Sequence, residues 1–95
     1  MTDTERMQRE QLERVLGTRL AALCLSAGGP TTTAERVRAG HAAVVHLFKG
    51  GLDPATVRAW FVGMNPELDD AAPAEVLASQ PERVVAAAEA FAQGW

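Results

Sequence analysis

Gly50-Gly51-Leu52-Asp53-Pro54-Ala55-Thr56-Val57-Arg58-Ala59-Trp60-Phe61-Val62-Gly63 decides how this chain is divided. The glycine pair ends one helix, and Asp53 followed by Pro54 starts another, because Asp caps free N–H groups and proline suits the first helical position. Leu52 is placed to staple against Val57, and Gly63 ends a short helix that carries Val57, Trp60 and Phe61.

The same punctuation continues in both directions. Upstream, Thr32-x-x-Glu35 is a capping box that opens a helix to about Phe48, with Val37, His41, Val44, Val45 and Phe48 on one face. Before it, Leu12, Val15, Leu16, Leu20 and Leu23 draw one apolar stripe, which predicts a long helix from Thr4 to Ser26. Ala27-Gly28-Gly29-Pro30 stops that helix. Downstream, residues 64–72 read as an ordered loop and Pro73 opens a turn or two of helix through Val76 and Leu77. Ser79-x-x-Glu82 reads as a second capping box before a last helix bearing Val84, Val85, Ala88, Phe91 and Ala92. The prediction is an all-α fold, a small bundle of about five helices by this punctuation. Residues 1–30 form a helical arm suited to dimerisation, and residues 31–95 a compact helical domain.

Composition agrees. The chain has 95 residues, 18 of them Ala and 8 Arg, with no Ile and no Tyr. Such a chain favours helix over strand, and its coding sequence is expected to be GC-rich, as in a high-GC bacterium or its phage. No apolar run approaches the roughly 18 residues of a membrane span, and no basic-then-apolar leader is visible, so the expected location is cytoplasmic. Charge is uneven: residues 1–20 are neutral, 21–51 carry +2 and 52–95 carry −5. An acidic half argues against binding a phosphate backbone there.

Few residues suggest catalysis. His41 and His46 are five apart, which turns them about 140° from one another on a helix and misses metal-ligand spacing. Cys24 lies among apolar neighbours and reads as a small hydrophobe rather than a thiol nucleophile. Asp69-Asp70 reads as a solvated turn or cap rather than a magnesium site. No phosphate-cradling loop or nucleophile elbow is present. The expectation is a non-enzymatic protein with no metal and no cofactor. The helices from 12 to 48 also permit a helix-turn-helix reading, in which Arg36 and Arg38 would contact DNA phosphates in a transcriptional regulator. An adaptor that binds an unrelated host protein is a third reading.

The order of motifs adds a resemblance. His46-Leu47-Phe48, Gly50-Gly51-Leu52-Asp53, Ala59-Trp60-Phe61, Asn65-Pro66-Glu67-Leu68, Pro73-Ala74-Glu75-Val76-Leu77, Arg83-Val84-Val85 and Gly94 follow one another across residues 42–95. This resembles the toxin-binding domain of the Xre/MbcA/ParS antitoxins. The chain departs from that pattern at Asp69-Asp70, where small residues are common, and its first 45 or so residues are short for the helix-turn-helix domain that many members carry. The resemblance implies a protein partner, an NAD-degrading RES-type toxin, whose active-site cleft the end of the antitoxin occludes. The residues expected at that contact are Asp70, Glu89, Phe91, Gln93 and Trp95, since aromatics anchor interfaces and acids complement a nucleotide-binding cleft. A homodimer is expected as well.

Overall fold

Thr32 and Asp53 cap their helices as their sequence contexts require. The Thr32 hydroxyl accepts from the Glu35 backbone N–H at 3.1 Å, and Asp53 Oδ1 accepts from that of Thr56 at 2.9 Å. In the computed structural model, which describes residues 3–26 and 30–94, these caps open α3 (Thr33–Lys49) and α4 (Pro54–Val62). Around them stand α1 (Asp3–Leu16), α2 (Thr18–Ser26), α5 (Pro73–Val76) and α6 (Pro81–Gly94), with a 3₁₀ turn at Pro66–Leu68. The fold is all-α, with no strand among the described residues.

Two boundaries differ from the sequence reading. The Thr4–Ser26 helix is broken at Gly17, whose φ of 84° lies in the left-handed region that glycine adopts readily. Its N–H still bonds to the Glu13 carbonyl at 2.9 Å and its own carbonyl accepts from Ala21 at 3.0 Å, so one helix ends and the next begins on the same residue. The break shifts the inward face by one position. Leu12 and Leu16 of α1 are buried, but in α2 the buried residues are Ala21, Cys24 and Leu25, while Leu23 is turned outward. The second difference is at Ser79. Because α6 starts at Pro81, Ser79 caps nothing there, and its hydroxyl bonds back to the Val76 carbonyl at 3.4 Å.

One core joins all of these elements. Leu12, Leu16 and Cys24 from the N-terminal helices lie in the same buried cluster as Val37, Leu47, Phe61, Leu77 and Val84. Most of the predicted stripe thus packs within the chain, Leu12 and Leu16 buried and Val15 and Leu20 partly so, while Leu23 is exposed. A Cα radius of gyration of 11.9 Å fits one closed body, for which the size scaling gives about 12 Å. α3 and α6 make the most extensive contact, and each contributes buried alanines, Ala43 on α3 and Ala87 and Ala88 on α6. At their C-terminal ends an added Cβ on Gly50 would stand 2.7 Å from Ala92 Cβ.

Candidate functional site

The residues expected at a partner contact are placed by α4, the loop after it, and α6. Trp60 and Phe61 are adjacent on α4 and meet edge to face, with centroids 5.1 Å apart at 84°. Phe61 is fully buried, while Trp60 forms the outer edge of the core and lies under Phe91 of α6, centroids 6.5 Å apart. The Trp60 indole N–H is buried without a hydrogen-bond partner among the described residues. Phe91 is among the residues expected at a partner contact. It sits at the margin of the core, 39% exposed.

The loop from Asn65 to Ala71 is closed on itself. Asn65, followed by a proline and therefore extended, accepts the Glu67 N–H on its side chain at 2.9 Å. Its backbone N–H donates to the Ala71 carbonyl at 3.2 Å and its carbonyl accepts from Asp70 at 2.9 Å. The chain reverses through Asp69 and Asp70, both left-handed with φ of 58° and 66°. These acids are therefore a turn, as the sequence suggested. Arg83 ties the turn to α6, donating to the Glu67 carbonyl at 3.2 Å and lying 3.4 Å from the Asp69 carboxylate.

Between this loop and α6 is a largely apolar groove of about 380 Å³, walled by Asn65, Pro66, Ala87, Ala90, Phe91 and Gly94. Met64 precedes it and is 79% exposed, and Val62 at the end of α4 is exposed as well. Sequence reading missed these two. The available signal was a pair of large apolar residues flanking Gly63, where no helical period assigns a face.

The candidate contacts do not form one cluster. Phe91 faces the loop groove. Glu89 and Gln93 lie on another side of α6, where the Gln93 amide donates to Glu89 at 3.4 Å. Asp70 is at the far turn of the loop and exposed, and Trp95 lies outside the described residues.

Arg36, which the alternative helix-turn-helix reading would set against DNA phosphates, is buried and bound to its own chain. Its Nε and Nη2 donate to the Leu25 carbonyl at 3.2 and 3.0 Å, and its Nη1 to the Thr31 carbonyl at 2.6 Å. The hydroxyls of Thr31 and Thr33 accept as well. The guanidinium sits at the C-terminal end of α2, where the helix dipole favours a cation. Arg38 is exposed.

The remaining chemistry-bearing groups are quiet. Burial pushes the Cys24 thiol up to about 11, away from the reactive thiolate. His41 bonds to the Gln11 side chain, and partial burial lowers its pKa from 6.5. No group of three or more His, Cys, Asp or Glu that could hold a metal ion is found among the described residues. No helix is long and apolar enough to cross a membrane among them. No family model, characterised protein or solved structure matches the chain.

Proposed function

We propose that this chain is a protein-binding module of the antitoxin type, whose C-terminal end enters and blocks the cleft of an NAD-degrading RES-type toxin. The observation that carries the reading is Phe91. It is a partly exposed aromatic on the last turns of the last helix, backed by Trp60 and lining a largely apolar groove. Single exposed apolar residues are ordinary on any surface, but a contiguous aromatic–apolar patch with a polar rim is typical of a contact site. The acidic C-terminal half supports a cleft that binds nucleotide phosphates, which is electropositive. The motif order from His46 to Gly94 supplies the partner class. The same reading places the chain in the cytoplasm, where NAD is consumed, and keeps self-association as part of the proposal. The consumption of Arg36 by its own chain weighs against the DNA-binding alternative.

The test is NAD consumption by a RES-type toxin, purified with and without this chain. Removing residues 93–95, or replacing Phe91 with Ala, should weaken inhibition roughly 30-fold, the effect of losing an anchor worth about 2 kcal/mol. Circular dichroism should show unchanged helix content. Full inhibition by both variants, or no inhibition by the intact chain, would remove the proposal.

A further inference from the structure

On the other side of α6 from Phe91, α3 and α6 leave an open groove of about 460 Å³. Its walls are two facing stripes, Glu35, Arg38, Ala39 and Ala42 on α3 and Glu82, Val85, Ala86 and Glu89 on α6. Each stripe follows the i, i+3, i+4, i+7 rule of a helix face, so the floor is small and apolar and the rim is charged. The two helices run in the same direction, with Glu35 and Glu82 at one end and Gly50 against Ala92 at the other. Close packing of Gly50 on Ala92, within the most extensive helix contact of the fold, fixes the spacing of the walls. The groove is therefore part of the rigid core contact and not of a loop.

Its dimensions fit a helix. Each wall spans seven to eight residues, about 11 Å or two turns, and alanines on the floor permit close approach of a third backbone. Its charge selects the occupant. Glu35, Glu82 and Glu89 face one guanidinium, Arg38, and none of the four has an ion-pair partner within 4.0 Å among the described residues. A second copy of the chain would oppose three carboxylates with three more. We infer that this groove receives an amphipathic helix of a partner protein, with a stripe of small or aliphatic residues on the floor and Lys or Arg along both flanks. This surface is independent of the Phe91 end.

The probe is a synthetic peptide of about 18 residues, long enough for five turns, with a Leu/Ala stripe flanked by Lys and Arg. Its binding to the full chain is read by fluorescence anisotropy and located by amide chemical shifts. The controls are a scrambled peptide of equal charge and one with Glu for every Lys and Arg. The basic helix should bind with shifts along residues 35–42 and 82–89, and neither control should bind comparably. Ala86→Arg, at an exposed floor position, should weaken binding at least ~10-fold. The double change Glu82→Gln/Glu89→Gln should weaken it and flatten its salt dependence, whereas Phe91→Ala should leave it unchanged. Equal binding of the scrambled peptide, shifts confined to the Phe91 groove, or a homodimer seated on Glu35 and Glu82 would overturn the inference.

Discussion

Replacing Arg36 with Met should destabilise the protein far more than its surface chemistry suggests. The side chain makes five hydrogen bonds, and two of its acceptors are backbone carbonyls, those of Leu25 and Thr31. The Leu25 carbonyl is in the last turn of α2, one of the orphans that every helix C-terminus leaves. Methionine fills similar space and removes the desolvation cost of the cation, but it strands both carbonyls at about 1–3 kcal/mol each. Some of that loss is recovered by apolar burial, which leaves a net loss of about 3 kcal/mol. A chain of this length has roughly 5–14 kcal/mol in all. In a domain this small, 3 kcal/mol corresponds to a fall of roughly 12–24 °C in Tm. Arg36→Lys should recover less than half, because an ammonium cannot reproduce the planar fork. Arg38→Met, two positions away and exposed, is the control and should stay within about 0.5 kcal/mol of the parent. Thermal melts followed at 222 nm by circular dichroism measure all three. If R36M and R38M melt together, the buried fork is not holding α2 to α3, and Arg36 returns as a surface cation.

Gly50→Ala should cost about 1–3 kcal/mol by overpacking, because its new Cβ meets Ala92 Cβ at 2.7 Å and Ala92 Cα at 3.0 Å. Gly51→Ala meets nothing within 4 Å but has φ of +95°, so its cost of about 1–2 kcal/mol is conformational. Urea denaturation of double variants separates the two causes: Ala92→Gly should couple to Gly50→Ala and not to Gly51→Ala. For Cys24, the folded thiol is held up to about 11 against an ordinary 9.0. The folded state then keeps a proton that the unfolded state releases, so stability should be intact below pH 9.0 and fall as pH rises toward about 11. Urea midpoints at a series of alkaline pH values should fall more steeply for the parent than for Cys24→Ala; parallel curves would refute the assignment.

Local signals were legible wherever the chemistry is local. Thr32 and Asp53 each satisfy an N–H three residues on, and their caps stand as read. Asn65-Pro66 likewise contains its own turn chemistry, and the loop closes through it. Gly17 was hidden because Leu16 and Leu20 continue the stripe across it, and periodicity alone does not register a rotation by one residue. Ser79 misled for the opposite reason. The box pattern is present, but Pro81 suits the first helical position and sets the start of α6 beyond its reach. Arg36 was illegible as a structural residue since the Leu25 carbonyl lies eleven residues upstream, across the interhelical connection.

The candidate contact residues show the same limit at the level of the surface. Glu89, Phe91 and Gln93 are close in sequence, yet Phe91 and Gln93 are two apart and so about 200° from one another around α6. Only the position of the neighbours decides what each side of that helix means. The loop tied down by Arg83 makes an apolar groove beside Phe91, while α3 makes an acidic groove beside Glu89. A single cleft that gripped all three would have to enclose the helix end from opposite sides, as a socket encloses a plug. A partner that lies along one side would use one groove and leave the other open. Substitutions at Phe91 and at Ala86 therefore report on separate contacts, and a partner sensitive to both must surround the tip of α6.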